Sequence, residues 1–365
     1  MTDFHITLLI LGGLVALVVG GEFLVRGATG LAVAAKVSSL VIGLTVVAYG
    51  TSAPELVVSI QAAANGSPEI AMANVVGSNI FNLLFILGIC GLIAPLAVSS
   101  QLLRIDVPVM ILASGLVWVF AIPGKIAPWQ GAFLLAVIIV YTTFIVRSSR
   151  KKSRKVKAEY DKALKDEKEE VAGYPIWLSL VFVALGLTVL VFGARWLVEG
   201  SVTLARRFGV SETVIGLTIV AGGTSLPELA ASAVATFRGE RDIAIGNLVG
   251  SNISNLLVIL GIAPLMGGGL QVAPQLLQFD IPVMVASAIA CLPLFFVGHK
   301  FSRGEGMLFL LSYLSYATYL ILLATGSGAI GGFQQMMLTV ALPIAASLLL
   351  WIVAVKYRKA RGAPA

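Results

Sequence analysis

The chain has 365 residues, of which 58% are apolar and only 12% are charged, and its mean hydropathy is +0.98. A water-soluble domain of this composition would aggregate, so the balance predicts a multi-pass membrane protein with the lipid bilayer as its surroundings. The formal net charge of +7 does not indicate a nucleic-acid partner, because many of the basic residues are gathered in one hydrophilic segment.

Apolar stretches long enough to cross a bilayer follow one another along the chain, separated by Gly, Pro or charged residues. Eleven are expected, at residues 6–34, 38–64, 70–94, 103–122, 128–147, 175–205, 211–236, 241–266, 277–298, 305–325 and 333–356. The first stretch lacks a basic segment before it and is longer than the apolar part of a signal peptide, so we expect it to remain as the first span.

The second and third stretches carry polar residues where lipid would reject them. Residues 50–55 read GTSAPE, and residues 77–82 read GSNIFN. Pro54 has no amide hydrogen for the carbonyl of Gly50, so we expect the helix to break there and to free main-chain carbonyls. Broken backbone at membrane depth is tolerated only inside the protein or along a watered cavity, so these residues mark a candidate functional site.

A hydrophilic segment follows the fifth stretch and is interpreted as a cytoplasmic linker. Ten of the 25 Lys and Arg residues lie between Arg147 and Lys168, mixed with acidic residues. Counted over all loops, one side of the membrane receives 20 Lys and Arg and the other side three. The positive-inside rule therefore predicts an N-terminus outside and a C-terminus in the cytoplasm, in the cell membrane.

The polar signatures of the first half recur in the second half at a constant offset of 173 residues. Residues 42–59 match residues 215–232 at 13 of 18 positions, and residues 70–89 match residues 243–262 at 15 of 20. The second copies read GTSLPE at residues 223–228 and GSNISN at residues 250–255. Such agreement indicates a duplication.

Each half contains five stretches, and an odd number makes the second half enter the membrane from the opposite face. The sequence therefore predicts an all-α membrane protein with an inverted-topology repeat of two five-helix halves, ten transmembrane helices in all, plus one extra C-terminal helix. We expect a first half at 1–147 with its repeat at 38–95, a charged linker at 148–174, a second half at 175–325 with its repeat at 211–268, and the extra helix with a basic tail at 326–365.

The duplicated signatures supply only hard oxygen donors. They are the carboxylates of Glu55 and Glu228, the hydroxyls of Thr51, Ser52, Thr224, Ser225, Ser78 and Ser251, the amide oxygens of Asn82 and Asn255, and freed main-chain carbonyls. Ca²⁺ binds such oxygens, whereas zinc or copper would need His or Cys. Buried carboxylates must be neutralised by one divalent cation, by monovalent cations or by protons, and mutually exclusive neutralisation is the physical basis of antiport.

Other polar residues are expected to be structural. Asn79 and Asn252 are interpreted as interhelical hydrogen-bonding residues that fix packing. Asp106 and Asp280 stand at span starts, each two residues before a proline, and are interpreted as helix N-caps.

GTS-x-PE followed by GSNI-x-N, occurring twice, resembles the calcium/cation antiporter superfamily, of the sodium/calcium exchanger type. The resemblance implies that Glu55 and Glu228 are the central calcium ligands and that the hydroxyls of the two signatures line the calcium and sodium sites. It adds the main-chain carbonyls of Ala48 and Ala221 to that lining. It also implies that the long first and sixth spans slide against the remaining bundle, and that Ca²⁺ with Na⁺ or H⁺ are transported substrates, with no tightly bound cofactor.

Some relatives carry aspartate at one or both of the positions that match Asn82 and Asn255. This chain has asparagine at both, so the two glutamates supply all the formal charge of the site. The driving ion stays open between Na⁺ and H⁺, and a Ca²⁺/H⁺ antiporter that uses the same glutamates is the alternative. A passive cation channel is less expected, because carboxylates between broken inverted helices favour tight binding. An enzyme is not expected, since an intramembrane hydrolase would need a general base and the two histidines, His5 and His299, lie at span ends.

Overall fold

The computed structural model describes residues 2–160 and 175–337, together with residues 339, 347 and 354. Its helices are α1 (Asp3–Ala35), α2 (Ser39–Thr51), α3 (Ala53–Ala64), α4 (Pro68–Ile93), α5 (Leu102–Ala121), α6 (Pro128–Tyr160), α7 (Ile176–Arg207), α8 (residues 212–223), α9 (Leu226–Phe237), α10 (Arg241–Met266), α11 (Leu276–Phe296), α12 (Arg303–Ala324) and α13 (Ile330–Met336). The strands are β1 (Leu96–Ala97), β2 (Lys125–Ile126), β3 (Leu270–Gln271) and β4 (Lys300–Phe301).

Eight of the described helices are long and apolar enough to cross a membrane, namely α1, α4, α5, α6, α7, α10, α11 and α12. The pair α2 and α3, bent by 46°, adds a ninth span if it is counted as one. The expectation of an all-α multi-pass membrane protein is thus confirmed at this coarser level. Most of the eleventh expected stretch, 333–356, lies outside the described residues. Residues 161–174 of the expected linker also lie outside them.

Both stretches that carry GTS-x-PE are divided into two helices. The backbone leaves the helical region at Ser52 (φ −79°, ψ 6°) and again at Ser225 (φ −91°, ψ 8°), and a proline lies in the first turn of the helix that follows each of them. Proline fits the first turn because its missing amide hydrogen would have had no partner there. The expected break therefore ends α2 and α8 and starts α3 and α9.

The helices α1 to α6 recur in the same order as α7 to α12, down to local irregularities of the backbone. Wider π-helical turns occupy Gly43–Val47 and Gly216–Val220, Phe81–Ile86 and Asn255–Ile259, and Leu102–Asp106 and Leu276–Asp280. Turns of this kind leave a local gap in the regular helical hydrogen bonding and often occur at functional sites.

The expectation that Asp106 and Asp280 are N-caps is wrong. Each is the last residue of a π-helical turn that continues into α5 or α11, so the helix already extends beyond it on the N-terminal side. The Asp106 carboxylate instead accepts a hydrogen bond from Tyr141 at 2.9 Å, and the Asp280 carboxylate accepts one from Tyr316 at 2.8 Å. The two aspartates therefore tie α5 to α6 and α11 to α12.

The long helices α1 and α7 pack against each other antiparallel through glycines spaced seven residues apart. A Cβ atom added at Gly13 would lie 2.8 Å from the carbonyl oxygen of Gly193, and one added at Gly20 would lie 3.0 Å from that of Gly186. These positions have space for hydrogen only, so the two backbones approach closely. The pair lies beside a buried core in which α4 and α10 are the most enclosed spans.

The short strands join loops of the two halves in a crossed order. Strand β1, which precedes α5, pairs antiparallel with β4, which follows α11. Strand β2, which follows α5, pairs antiparallel with β3, which precedes α11. The start of each of the helices α5 and α11 therefore lies beside the end of the other. The two helices are in contact and run antiparallel.

We predict that Gly13→Ala lowers the thermal unfolding temperature of the detergent-purified protein, because the new methyl group would meet the backbone of α7. The cost of overpacking is about 1–3 kcal/mol. Gly12→Ala is the matched control, since its Cβ would have only an ordinary contact of 3.9 Å with Trp196. Both variants gain the same helix propensity, and equal unfolding temperatures would contradict the close α1–α7 packing.

Candidate functional site

Glu55 and Glu228 both lie in the first turn of a helix that restarts after a break. Both side chains are fully buried. The free amide groups of a helix N-terminus carry partial positive charge, which favours a carboxylate at that place. The breaks at Ser52 and Ser225 thus put two acidic groups inside the bundle and aim a helix end at each.

The two halves hold each other's glutamates. Ser225 Oγ donates to Glu55 Oε1 at 2.9 Å, and Ser52 Oγ donates to Glu228 Oε1 at 3.0 Å. Ser52 and Ser225 each lie three residues before a glutamate of their own half, so these two cross-bonds bring the carboxylates near each other. One site is therefore assembled from both copies of the duplicated signature.

Further hydroxyl groups of the signatures surround this pair. Ser78 Oγ lies 3.3 Å from Ser225 Oγ, and Ser251 Oγ lies 3.5 Å from the carbonyl oxygen of Ala48. Thr51 Oγ1 is also within 3.4 Å of that carbonyl. The carbonyl of Ala48 thus faces the hydroxyls of both halves.

The structure places most of the expected site residues in the buried interior, on the elements that the duplicated signatures form. Glu55, Glu228, Thr51, Ser52, Ser225, Asn82, Asn255, Ser78, Ser251 and Ala48 are all buried and Thr224 is partly buried, whereas Ala221, at the start of the last turn of α8, is exposed. Most of them are joined by the hydrogen bonds described above and below.

Five oxygens of this set are buried and have no hydrogen-bond partner. They are Glu55 Oε2, Glu228 Oε2, Thr224 Oγ1, Asn82 Oδ1 and Asn255 Oδ1. A buried polar atom without a partner costs about 1–3 kcal/mol, and more when it is charged. Two carboxylate oxygens and three neutral oxygens are the ligand types that Ca²⁺ and other hard cations prefer. In the part of the chain that the structure describes, no three His, Cys, Asp or Glu residues form a metal-binding group.

Two asparagines that the sequence analysis did not single out hold the glutamate turns in place. Asn74 Nδ2 donates to the carbonyl oxygen of Glu55 at 3.3 Å and to Ser59 Oγ at 3.0 Å. Asn247 Nδ2 donates to the carbonyl oxygen of Glu228 at 3.5 Å and to Ser232 Oγ at 2.9 Å. Their exact correspondence at the 173-residue offset was the available signal.

A second group of asparagines links α4 to α10, the helices that also carry Ser78 and Ser251. Asn82 Nδ2 donates to Asn252 Oδ1 at 3.2 Å, and Asn255 Nδ2 donates to Asn79 Oδ1 at 3.2 Å. Asn252 Nδ2 also donates to the carbonyl oxygen of Asn79 at 3.4 Å. Asn79 and Asn252 therefore make the interhelical hydrogen bonds that the sequence predicted.

The two halves differ around their breaks. In the first half, Tyr49 OH is 2.8 Å from Thr142 Oγ1, and Thr51 Oγ1 is 3.1 Å from Asn247 Oδ1. In the second half, Gly222 replaces the tyrosine and Thr224 Oγ1 has no partner. A cavity of about 550 Å³ lies there, and its walls include Phe81, Phe85, Leu197, Gly222, Leu226 and Tyr313. The cavity therefore lies beside the break of the second half, between residues of both halves.

Some known proteins with similar sequences are described as exchangers or antiporters. The model of the family described as sodium/calcium exchanger protein matches residues 5–147 and 178–322. The putative antiporter CaxA of Alkalimonas amylolytica is 36% identical over 314 residues, which are 85% of this chain and 97% of CaxA. The sodium/calcium exchanger MaX1 of Methanosarcina acetivorans is 33% identical over 343 residues, which are 86% of this chain and 97% of MaX1.

The fold is also similar to solved structures of the sodium-calcium exchanger NCX_Mj. For crystals soaked with 10 mM Na⁺ and zero Ca²⁺, the TM-score is 0.71 at 30% sequence identity. The similarity covers 90% of this chain and 100% of that one.

We predict that Ca²⁺ raises the unfolding temperature of the purified wild-type protein but not that of Glu228→Gln. Binding to the folded state alone adds about 2.7 kcal/mol of stability when free Ca²⁺ is about a hundred times its Kd. In a chelator without Na⁺, Glu228→Gln should unfold at the higher temperature, because it removes one of two repelling buried charges.

Glu69→Gln serves as the control for this comparison, because Glu69 is exposed in the first turn of α4. It should behave as the wild type in both buffers. Ca²⁺ stabilisation that persists in Glu228→Gln would show that the ion binds elsewhere.

Proposed function

Because the chain belongs to the sodium/calcium exchanger protein family, we propose that it is a secondary active antiporter that exchanges Ca²⁺ for Na⁺ across a membrane by alternating access. One observation carries the proposal. Two fully buried glutamates each have one oxygen bound by a serine of the opposite half and one oxygen without a partner. Such a pair needs a cation that can come and go.

The charge of the pair supplies the coupling between the two ions. One Ca²⁺ neutralises both carboxylates, and so do two Na⁺ ions. Since two sets of cations cannot occupy the same oxygens at once, binding of one set requires release of the other. The carboxylates and neutral oxygens on both sides of the pair suit either ion.

The proposed ligands are the candidate oxygen donors of the two duplicated segments. Glu55 and Glu228 would be the central calcium ligands, and Thr51, Ser52, Thr224, Ser225, Ser78, Ser251, Asn82, Asn255 and the carbonyls of Ala48 and Ala221 would complete the Ca²⁺ and Na⁺ positions. The unpaired oxygens of Asn82, Asn255 and Thr224 support this assignment, because each has room in its hydrogen bonding for an ion.

The proposed architecture is two inverted halves with ten transmembrane helices, in which α2 with α3 and α8 with α9 each form one broken span. The crossed pairing of β1 with β4 and of β2 with β3 supports the inversion, because it brings the start of α5 next to the end of α11. The halves would occupy 1–147 and 175–325, joined by a charged linker at 148–174, with an extra helix and basic tail at 326–365.

We propose the cell membrane as the location, with the N-terminus outside and the C-terminus in the cytoplasm. The distribution of Lys and Arg among the loops supports this orientation. The difference between the two halves supports alternation. In the state of this structure, a cavity lies beside Gly222 in the second half, and the hydrogen bond between Tyr49 and Thr142 closes the matching place in the first half. In the other state, the inverted repeat would put the cavity in the first half and the closed contact in the second.

A Ca²⁺/H⁺ antiporter is the second candidate, because a proton can also neutralise a buried carboxylate. It uses the same two glutamates and differs only in the driving ion. Transport, and not catalysis, is the role assigned to the serines, because in the described residues Ser52 and Ser225 donate to carboxylates and not to a histidine or lysine base.

We predict that proteoliposomes loaded with Na⁺ take up radioactive Ca²⁺ against its gradient when they are diluted into Na⁺-free buffer. Glu55→Gln should reduce this uptake to the level of empty liposomes, because one neutral amide leaves the site without its charge match. Glu69→Gln should keep wild-type uptake. Uptake that follows an imposed pH gradient and ignores Na⁺ would favour proton coupling, and uptake that persists in Glu55→Gln would overturn the site.

We predict that Asn255→Asp tightens Ca²⁺ binding relative to Na⁺, because it adds a third negative charge beside the ion. A charged group stabilises a polar contact by about 1 kcal/mol more than a neutral group does. The Ca²⁺ concentration that half-saturates the protein should therefore fall by about fivefold. The control is Asn65→Asp, which adds the same charge at an exposed position after α3. An unchanged Ca²⁺ concentration dependence would place Asn255 outside the site.

A further inference from the structure

The amides of Asn82 and Asn255 can serve a cation only if their oxygens, and not their nitrogens, face it. An amide and its flipped form have almost the same shape, and the nitrogen side donates hydrogen while only the oxygen accepts or ligates. Packing alone therefore does not choose the orientation. Hydrogen-bond partners on the far side of each amide must choose it.

Each ligand amide meets an asparagine of the opposite half. Asn82 Nδ2 donates to Asn252 Oδ1 and Asn255 Nδ2 donates to Asn79 Oδ1, both at 3.2 Å. With the nitrogens engaged there, Asn82 Oδ1 and Asn255 Oδ1 are left buried and without a partner. The orientation of the ligand amides thus depends on the orientation of Asn79 and Asn252.

Asn79 and Asn252 are in turn held by groups that can only accept. Asn79 Nδ2 lies 3.6 Å from Met284 Sδ. Asn252 Nδ2 lies 3.8 Å from Met110 Sδ and 3.4 Å from the carbonyl oxygen of Asn79. A thioether and a carbonyl have no proton to give, so the amide nitrogen must face them and Oδ1 must face the ligand asparagine.

We propose that Asn79 and Asn252, each backed by a methionine, are positioning residues that keep the amide oxygens of Asn82 and Asn255 turned toward the transported cation. The proposal rests on the function proposed above and adds how its neutral ligands acquire their polarity. Met110 and Met284 occupy matching places on α5 and α11. There are thus two equivalent relays, Met284–Asn79–Asn255 and Met110–Asn252–Asn82, and each passes from one half to the other and back. Asn79 and Asn252 act through other residues and touch no ion themselves.

The test is equilibrium binding of Ca²⁺ to the purified full-length chain. Asn79→Leu keeps a similar shape but removes both the acceptor and the donor, which frees the Asn255 amide to turn. Loss of one oriented ligand is expected to weaken Ca²⁺ binding about tenfold. Met284→Leu removes only the weak sulfur acceptor and should weaken binding about twofold to threefold.

The control lies one turn further along α11. Ser287 Oγ bonds only to its own helix, at the carbonyl oxygen of Val283, and the side chain is buried. Ser287→Ala should therefore bind Ca²⁺ as the wild type does. If Asn79→Leu also binds Ca²⁺ as the wild type does, the relay is wrong.

An orienting role is separated from a packing role by repeating the change in Asn255→Asp. A carboxylate offers an oxygen whichever way it turns, so it needs no orienting partner. Asn79→Leu should then weaken Ca²⁺ binding by about twofold or less in the Asn255→Asp background. The same tenfold loss in both backgrounds would show that Asn79 only packs, and would overturn the proposal.

If Asn79→Leu does not fold, the second relay, in which Asn252 orients Asn82, provides an independent test. Asn252→Leu, measured alone and together with Asn82→Asp, should show the same loss and the same protection. Equilibrium binding needs no gradient, so Ca²⁺ binding without Na⁺-driven flux would overturn the exchanger and leave the relay standing. If the wild type binds Na⁺ and not Ca²⁺, Asn79→Leu and Asn252→Leu, each alone and with its aspartate partner, are compared by their Na⁺-induced thermal shifts.

Discussion

Two acidic side chains buried together in the interior are the constraint on which the structure depends. Glu55 and Glu228 are fully buried, and in the described part of the chain neither forms an ion pair with a lysine or arginine. A fixed cationic side chain would neutralise them permanently and leave no place for a substrate. Serine hydroxyls and helix ends lower the cost without cancelling the charge. The remaining attraction is available to a mobile cation, and that is what a transporter requires.

The helix breaks make this arrangement possible in both halves at once. At the break, Ser52 turns toward Glu228 while Ser225 turns toward Glu55. Neither half can satisfy its own glutamate in this way, so the site exists only when the halves are together. A change in how the halves meet at these serines would therefore change the hydrogen bonds of both carboxylates.

Much of this could be predicted from the sequence, because duplication, apolar length and proline act locally along the chain. The breaks before Pro54 and Pro227 followed from the position of proline in the repeated signatures. The same signatures supplied the candidate oxygen donors, to which the family resemblance added the carbonyls of Ala48 and Ala221. Asn74 and Asn247 were missed, since their partners are the main-chain oxygens of other helices and periodicity does not reveal them. The roles of Asp106 and Asp280 were misjudged for a related reason, because the π-helical turns that extend α5 and α11 leave no signature in composition.

The neutral residues beside the glutamates carry a requirement that a carboxylate would not. An aspartate presents an oxygen in either orientation, whereas an asparagine presents an oxygen in one and a repelling N–H in the other. With an amide at Asn82 and Asn255, the attraction of a cation therefore depends on the residues that orient each amide. These are Asn252 and Asn79, whose amide nitrogens face the sulfur atoms of Met110 and Met284 between α4, α5, α10 and α11. Core residues that never meet the ion thus decide whether its neutral ligands attract it or repel it.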